Sequence, residues 1–511
     1  MKFKKVYFLN QDLGVQHTGI ESSALLRYRL FANQLNIQPV FITAKYRSQL
    51  STEIKILKQQ AKLPSEATVI NIYDFYQQLL PLKDAEISLY NGEVIVSLIG
   101  NHYQNYLDID GNVRGRAFYN QSNQRLHYIV HFFKGTTWRR DYYHESGRLS
   151  CTHLLDTKGQ KVLQEIFYRS DHTVCIIKNY FYDESGDRSG LKIQVFDAKG
   201  IAFVTDQEAS FIEYFLTQYL SEKDDLSILI VDKNRVFYEP AISARNQLGR
   251  SRVKVITAIH NLHAVNYHKK ETSRININYV SVFKDLTQPD AVIVQTNIQR
   301  NDIIARFGNT QNVYAIPHSY ECQWEIDQKK CDQKPYKAVY FARYNHDKKH
   351  ELAIDAFAKV VEKLPQAQFH CYGSGSRFKE LQQLVQHLKL ENNIFLHGWC
   401  DSVSEQYESA ALSIISSESE SFSLTIAESL AHGCPVIGFD VPYGPKELVH
   451  SGENGYLVPY KDTVAMAECI LKVMLDSSLQ RTLSENAKAS AKRYSEIEVK
   501  KLWRQVFDEM I

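Results

Sequence analysis

The feature that most constrains the fold is a change in the pattern of apolar runs and turns along the chain. Residues 1–78 alternate strand-like apolar runs, such as KKVYFLN and PVFITA, with helical patterns. Residues 79–205 hold short alternating runs split by DG, SG, KG and GD turns, which is typical of antiparallel hairpins. From residue 206 onward the strand–helix alternation returns. This order predicts an α/β fold with parallel sheets into which a β-meander is inserted.

A chain of 511 residues is too long for one core, and the second half restarts its alternation. The apolar runs ILIVDK, KVITAIHN, AVIVQT and NVYAIPH precede a fresh series that begins with KAVYFARY, and the polar stretch near 321–335 separates the two series. We therefore expect two Rossmann-like, doubly wound domains that face a cleft. The expected segments are residues 1–78 (first part of the N-terminal domain), 79–205 (the inserted meander), 206–325 (second part of the N-terminal domain), 326–490 (the C-terminal domain) and 491–511 (a helix that crosses back to the N-terminal domain).

Composition excludes several classes of protein. The formal charge of +2 gives no reason to expect a nucleic-acid partner. No apolar run reaches the roughly 18 residues that span a membrane, and the basic start is followed by an apolar run too short for a signal peptide. The eight cysteines form no C-x-x-C pair, which fits reduced thiols, and Cys371 and Cys434 lie in core-like strands. These features predict a cytoplasmic protein.

The stretch SESESFSLTIAESLAHG suggests an anion-binding loop. A loop that joins the carboxyl end of a strand to the start of a helix offers free N–H groups to a phosphate. Glu420 lies in this loop and Glu428 lies about one turn inside the helix. Since phosphate repels carboxylates, each glutamate would instead accept hydrogen bonds from sugar hydroxyls. The pattern indicates a nucleotide sugar; the alternative is that both glutamates are solvated charges at a helix end.

Two further loops fit the same ligand. Arg343 and Lys348 follow the first strand of the C-terminal domain and could converge on a pyrophosphate, where they would stabilise a leaving nucleoside diphosphate. Gly373, in YGSGS, would let the backbone approach the ligand. The alternative for the two cations is a solvated basic turn, and a lone GxG is a weak signal for the glycine. DIDG at 108–111 is interpreted as a hairpin turn rather than as a metal site.

The combination of Arg343, Lys348, Glu420 and Glu428 resembles the donor site of retaining GT-B glycosyltransferases of family 4. The resemblance over about 335–460 includes YGSGS, the HGW turn and PVIGFD. It implies that Glu428 binds the ribose of UDP, that Glu420 binds hydroxyls of the donor sugar, and that the two cations hold the pyrophosphate.

The resemblance also implies that the backbone of Ser423 and Leu424 contacts phosphate or sugar. Many relatives have EGFGL where this chain has ESFSL, so Ser421 and Ser423 stand in place of two glycines and would narrow the sugar pocket.

In the N-terminal domain, Gly19 matches the family glycine whose backbone approaches the donor phosphate, and His260 matches the histidine that faces the reacting sugar. Taken alone, His260 could equally be a core or surface histidine. His263 and His268 lie nearby, but neither a thiol nor a carboxylate completes a metal set. We therefore expect no metal and no cofactor beyond the UDP-sugar donor, with Arg343 and Lys348 in the role of a cation.

The insert, preceded by INIYDFYQ, resembles that of a subgroup of bacterial surface glycosyltransferases. The subgroup includes enzymes that glycosylate serine-rich adhesins before accessory secretion and poly(glycerol-phosphate) α-glucosyltransferases of wall teichoic acid. The expected donor is UDP-glucose or UDP-N-acetylglucosamine. The resemblance implies attack on the same face as the departing phosphate, with retention of configuration.

Three functions remain open at this point. The first choice is glycosylation of a serine-rich adhesin, on Ser/Thr or on a sugar already attached. The second is glucosylation of polyglycerol-phosphate, which a basic groove near RGR and WRRDYY would favour, although hairpin surfaces carry such charges routinely. The third is a non-catalytic subunit that presents the acceptor. Exposed strand edges of the insert suggest a homo-oligomer, and peripheral association with the inner face of the membrane is a further expectation.

Overall fold

The computed structural model describes residues 5–14, 19–78, 95–98, 103–108, 110–120, 125–308, 311–320, 334–400 and 402–510. The chain divides into two compact units. The first is Met1–Leu25 with Gln38–Val255, and the second is Leu26–Ile37 with Ile256–Ile511. The domain boundary expected near 321–335 lies almost entirely outside the described residues.

The chain begins with alternating strands and helices. They are β1 (Lys5–Asn10), α1 (Gly19–Leu30) with a π-helical turn at Phe31–Leu35, β2 (Val40–Thr43), α2 (Leu50–Gln59), β3 (Thr68–Asn71) and α3 (Ile72–Gln77). The ten strands that follow are β4 (Ile95–Leu98), β5 (Tyr103–Leu107), β6 (Val113–Tyr119), β7 (Leu126–Phe133), β8 (Thr136–Tyr143), β9 (Leu149–Leu155), β10 (Val162–Tyr168), β11 (Val174–Tyr182), β12 (Arg188–Asp197) and β13 (Gly200–Thr205).

Alternation then resumes. The elements are α4 (Glu208–Ser221), β14 (Ser227–Val231), α5 (Asn234–Leu248), β15 (Val253–Ala258), α6 (Val280–Lys284), β16 (Ala291–Val294), α7 (Asn297–Phe307) and β17 (Val313–Ala315). The last series is β18 (Lys334–Phe341), α8 (His350–Lys363), β19 (Gln368–Tyr372), α9 (Phe378–His387), β20 (Ile394–His397), α10 (Val403–Ser409), β21 (Ala410–Ile415), α11 (Leu424–Ala431), β22 (Val436–Phe439), α12 (Gly444–Leu448), β23 (Gly455–Val458), α13 (Thr463–Leu475), α14 (Ser477–Ala491) and α15 (Glu496–Met510).

Parallel strands form the framework of both units. In the first unit, β1 lies between β14 and β2, and β2 pairs with β3, all in parallel. The strand β15 runs from the first unit into the second, where it pairs with β16, and β16 pairs with β17. The short apolar runs of these strands are almost wholly buried because helices cover both faces of such sheets.

The inserted strands form an antiparallel meander, in which each strand pairs with its neighbour in sequence from β4 to β13. The described residues of DIDG, Asp108, Asp110 and Gly111, form the turn that the sequence predicts. The Asp108 carboxylate accepts the N–H groups of Asp110 and Asn112, and Gly111 has a φ of +81°. Both the hydrogen bonds and the left-handed glycine are typical of a tight turn.

Helices α3 and α4 anchor the meander within the first unit. Buried Gln77 donates to the carbonyl and hydroxyl oxygens of Ser150 on β9. Lys178 on β11 is buried, and its Nζ lies 2.7 Å from the hydroxyl of Tyr73 and 2.7 Å from the carboxylate of Glu208. A buried ammonium needs such partners, so this contact fixes β11 on the two helices.

The second unit contains a six-stranded sheet in the order β20-β19-β18-β21-β22-β23, parallel throughout. Its strands are separated by helices, and Cys371 and Cys434 are buried in the core as predicted. The predicted fold class, α/β with parallel Rossmann-like sheets and a β-meander insert, is confirmed.

The C-terminal helix α15 has an apolar face. Trp503 and Phe507, one turn apart, are both buried and meet the ring of Phe31 with centroids 5.1 and 5.6 Å away. These ring contacts attach α15 to the π-helical turn at Phe31–Leu35. None of the helices in the described ranges has the length and apolarity that crossing a bilayer requires.

Candidate functional site

The loop between β21 and α11 is held by backbone hydrogen bonds to the segment after β22. The N–H of Glu420 donates to the carbonyl of Pro442 at 2.8 Å, and the carbonyl of Glu420 accepts the N–H of Gly444 at 2.9 Å. A Cβ on Gly444 would lie 1.9 Å from the carbonyl oxygen of Phe422, so only glycine permits this close approach. The position of the Glu420 backbone is therefore strongly constrained.

Glu420 and Lys348 form an ion pair, with Lys348 Nζ 2.7 Å from Glu420 Oε1. Ser417 Oγ donates to the same carboxylate oxygen at 2.7 Å, and the hydroxyl of Tyr340 donates to the backbone carbonyl of Lys348 at 2.9 Å. Burial opposes the charge of Lys348, but the Glu420 carboxylate outweighs it and raises the pKa of the ammonium. The structure thus brings together two residues predicted from the sequence and adds Ser417 and Tyr340, which the sequence analysis missed.

Arg343 follows β18 and is exposed. Tyr344, next in the chain, is buried and donates its hydroxyl to the carbonyl oxygens of Cys371 and His397 at 2.8 and 2.7 Å. These bonds tie the turn that carries Arg343 to the ends of β19 and β20. An exposed guanidinium on a fixed turn is suited to binding an anion.

Gly373 packs against the Arg343 turn. A Cβ at this position would lie 2.1 Å from the carbonyl oxygen of Ala342, and one on Gly375 would lie 2.5 Å from that of Tyr344. The structure therefore gives a packing reason for both glycines of YGSGS. The ligand contact expected for Gly373 stays a prediction.

Glu428 lies on α11, one turn beyond its start. Burial raises the pKa of its carboxyl to about 7. Ser423 is the N-cap residue of this helix, with a left-handed φ of +70°, and Leu424 is its first residue. The first N–H groups of a helix have no intrahelical acceptor, so this end can receive an anion.

His260 lies just beyond the carboxyl end of β15 and is buried. Its N–H and that of Asn261 donate to the hydroxyl of Tyr279 at 3.0 and 2.9 Å. On the other side, Ser421 Oγ donates to the carbonyl of His260 at 2.5 Å. The His260 ring stacks almost parallel on His318, with centroids 6.0 Å apart. His260 is thus joined directly to the loop that carries Glu420.

His318 is a site residue that the sequence analysis missed. It also meets the ring of Phe422 edge-on at 5.3 Å. It follows β17 in the run NVYAIPH, so its position after the carboxyl end of a parallel strand was the signal that could have identified it. Tyr279 offers no comparable signal. The sequence analysis considered Ser421 only for the width of the sugar pocket, because its contact with His260 joins residues 161 positions apart.

His263 is buried rather than turned toward a ligand set. It lies 3.4 Å from the hydroxyl of Tyr443, and its pKa falls to about 4 because of burial and the nearby Arg306. The side chain of His268 lies outside the described residues. Within the described ranges no three His, Cys, Asp or Glu side chains come together in a way that could hold a metal ion.

Gly19 belongs to the first compact unit, where it is the first residue of α1. A Cβ built on it would meet no heavy atom within 4 Å. Packing therefore does not explain this glycine, and the phosphate contact implied by the resemblance stays a prediction.

Two arginines of the insert, one in RGR and one in WRRDYY, pair with carboxylates of their own hairpins. Arg114 lies 2.7 Å from the Asp108 carboxylate, and Arg139 lies 2.8 Å from that of Asp141. These pairs favour the interpretation of RGR and WRRDYY as ordinary hairpin charges.

The parallel sheets, and the cationic and acidic side chains that follow their strands, are typical of the GT-B fold of glycosyltransferases. Residues 323–490 match the family model described as glycosyl transferases group 1. The resemblance to GT-B glycosyltransferases drawn from the sequence is confirmed, and retention of configuration stays a prediction.

Curated relatives match nearly the whole chain. A poly(glycerol-phosphate) alpha-glucosyltransferase of Bacillus subtilis (strain 168) is 25% identical, covering 99% of this chain and 75% of the relative. A poly(ribitol-phosphate) alpha-N-acetylglucosaminyltransferase of Staphylococcus aureus is 23% identical over 99% of this chain and 100% of the relative. The GtfA subunit of the UDP-N-acetylglucosamine–peptide N-acetylglucosaminyltransferase of Streptococcus pneumoniae is 25% identical over 89% and 88%.

Solved structures share the fold. The crystal structure of TarM superposes with a TM-score of 0.86 at 21% identity, covering 99% of both chains. The pneumococcal O-GlcNAc transferase GtfA, in complex with UDP and GlcNAc, gives 0.81 at 20% identity, covering 100% of this chain and 99% of that one. These likenesses establish the fold.

Proposed function

We propose that this glycosyltransferase moves glucose or N-acetylglucosamine from a UDP-sugar to a hydroxyl of a bacterial surface polymer, with retention and without a metal ion. The observation that carries the proposal is the 2.7 Å ion pair between Lys348 and Glu420 at the start of α11. It places a cation for a leaving diphosphate beside a carboxylate for sugar hydroxyls, in a site whose backbone is already fixed.

Each predicted residue has a role in this proposal. Lys348 and exposed Arg343 neutralise the charge that develops on UDP as it leaves, and Glu420 orients the sugar. Glu428 accepts the ribose hydroxyls, and the backbone of Ser423 and Leu424 binds phosphate or sugar. Gly373 and Gly19 contact the donor through their backbone, and His260 faces the reacting sugar.

The reaction is proposed to proceed on one face of the sugar. The acceptor oxygen bonds to the anomeric carbon as the bond to the phosphate oxygen breaks, and that phosphate oxygen takes the proton of the acceptor hydroxyl. An α-linked donor then gives an α-linked product. A β-linked product, read from the anomeric proton coupling by NMR, would exclude this mechanism.

A polyol-phosphate chain is the acceptor we now favour, which reverses the preference for an adhesin in the sequence analysis. The reason is that the relative named for poly(glycerol-phosphate) is 25% identical over 99% of this chain, whereas the GtfA subunits that align with 99% of the chain are 23% identical. A serine-rich adhesin remains the second candidate because several relatives bear the GtfA name.

Three accompanying proposals follow the sequence analysis. The protein acts in the cytoplasm, with peripheral association at the inner face of the membrane. It self-associates through the insert, whose edge strand β13 exposes Ile201 and Val204. It needs no cofactor other than the donor.

The test is UDP release from UDP-glucose and, separately, UDP-N-acetylglucosamine, with polyglycerol-phosphate, polyribitol-phosphate and a bare or pre-glycosylated serine-rich peptide as acceptors. Glu420→Ala should abolish turnover. Glu418→Ala is the matched control, since it removes an exposed carboxylate of the same loop that pairs with Lys349 at 3.2 Å. Turnover on the peptide alone would make the adhesin the acceptor. Tight UDP binding without turnover on any acceptor would favour a non-catalytic presenting subunit.

A further inference from the structure

We infer that Ser421 is a positioning residue that holds the His260 backbone at a fixed distance from the loop that carries Glu420. The inference rests on the proposed function, because it assigns Ser421 an effect on the same transfer reaction.

The first observation is the hydrogen bond itself. Ser421 Oγ donates to the backbone carbonyl of His260 at 2.5 Å, joining residues 161 positions apart in sequence. A glycine at position 421 has no donor for this carbonyl. The bond connects the segment after β15 to the segment after β21, the two places that carry the predicted reactive-site residues.

The second observation is that the other side of the His260 peptide is already fixed. The hydroxyl of Tyr279, itself buried, accepts the N–H groups of both His260 and Asn261. Tyr279 thus holds the N–H side of the segment and Ser421 holds its carbonyl side. Removing Ser421 leaves the segment attached through Tyr279 and through the ring stacking of His260 on His318.

The third observation is that the Ser421 end of the bond is rigid. Glu420, the preceding residue, is clamped by backbone bonds to Pro442 and Gly444, and Phe422, the following residue, is buried against the ring of Tyr494. A hydroxyl on such a fixed loop defines where its partner lies. Ser421 therefore sets the distance between His260 and Glu420.

This arrangement predicts a specific kinetic effect. Loss of the Ser421 hydroxyl leaves the Lys348–Glu420 ion pair intact, so binding of the donor should change little. The His260 segment should lose its fixed distance to the donor sugar, and misplacement on the order of 1 Å can cost up to about 100-fold in rate. We expect kcat to fall about tenfold, with the donor KM and the Kd for UDP changed less than twofold.

The experiment compares Ser421→Ala, Ser421→Gly and Ser421→Thr with the wild-type enzyme. Ser221→Ala is the matched control, because its exposed Oγ donates to a backbone carbonyl, that of Gln218 at 2.8 Å, away from the site. Alanine and glycine should lower kcat, threonine should restore most of it by keeping the hydroxyl, and the control should match wild type. Hydrogen exchange of the amides at 259–263 should be faster in Ser421→Ala and Ser421→Gly and unchanged in the other two variants.

Two results would overturn the inference: unchanged exchange at 259–263 in Ser421→Ala, or a change of donor preference between UDP-glucose and UDP-N-acetylglucosamine with kcat intact. The second result would make Ser421 a wall of the sugar pocket. Failure of the proposed function has a different signature, namely a wild-type enzyme inactive with every donor and acceptor. In that case the exchange measurement alone decides whether Ser421 holds the His260 segment.

Discussion

Ser423 carries a backbone conformation that glycine adopts more easily. Its φ is +70° at the N-cap of α11, and left-handed geometry costs a residue with a Cβ about 1 kcal/mol. Because glycine also loses more chain entropy on folding, we expect Ser423→Gly to raise the free energy of unfolding by only about 0.5 kcal/mol.

Ser421→Gly, two positions earlier in the same loop, should have the opposite effect on the free energy of unfolding. Ser421 is not among the residues with positive φ, and its hydroxyl bonds to His260. The same substitution there should lower the free energy of unfolding by about 1 kcal/mol. Urea denaturation of both variants measures the two changes in the free energy of unfolding. Changes of the same sign would contradict the predictions.

Glu428 should make stability depend on pH. Burial raises its pKa in the folded state to about 7, above the ordinary value of 4.5, so the folded state binds more protons than the unfolded state between these values. The free energy of unfolding should therefore fall as the pH rises from 4.5 to 7, and Glu428→Gln should remove this contribution.

Melting temperatures of wild type and Glu428→Gln from pH 5 to pH 8 check this. Asp74, whose pKa burial also raises to about 7, is present in both proteins and largely cancels from the difference. The stability of the variant relative to wild type should increase with pH, and a constant difference would show that Glu428 is charged at neutral pH.

At the scale of elements, the contact between β11 and the helices α3 and α4 is asymmetric. The Lys178 side chain is 2% exposed, whereas that of Glu208 is 44% exposed. Removing Glu208 leaves a buried ammonium without a counter-charge, while removing Lys178 leaves a carboxylate that water can reach. We expect Glu208→Ala to cost about 3 kcal/mol and Lys178→Met about 1 kcal/mol.

The urea midpoints of these two variants are the measurement. Lys178→Met also keeps an apolar chain beside the rings of Tyr73 and Phe211, which now lie 5.1 and 5.3 Å from the ammonium. A larger loss for Lys178→Met than for Glu208→Ala would mean that the attachment of the meander depends on the cation rather than on its pairing.

At the scale of the whole molecule, the sequence predicted what local patterns encode. Apolar runs such as VFIT and AVIV became buried parallel strands, and Gly-containing turns became the hairpins of the meander. The convergence of Lys348 and Glu420 followed from their places after neighbouring strands, because β18 and β21 pair in parallel and end at one edge.

What the sequence did not reveal depends on contacts between distant segments. Ser421 with His260 and Tyr443 with His263 join residues more than 150 positions apart, and no local pattern specifies them. The packing reason for Gly373 was also hidden, since it depends on how closely the loop after β19 crosses Ala342. The sequence identified most of the candidate site residues, and the tertiary packing determines which of them are in contact.

The charge arrangement of the second unit leads to a prediction about metal ions. Lys348 is largely buried, paired with Glu420, and held charged by a raised pKa, so it can supply positive charge to a departing diphosphate without a divalent ion. We expect EDTA to leave turnover unchanged and Lys348→Ala to lower kcat on the order of 100-fold or more, with no rescue by added Mg²⁺.

Lys349→Ala is the matched control, since Lys349 pairs with exposed Glu418 outside the site. Loss of turnover in EDTA that Mg²⁺ restores would transfer the role of Lys348 to a metal, and rescue of Lys348→Ala by Mg²⁺ alone would show that the site accepts either kind of cation.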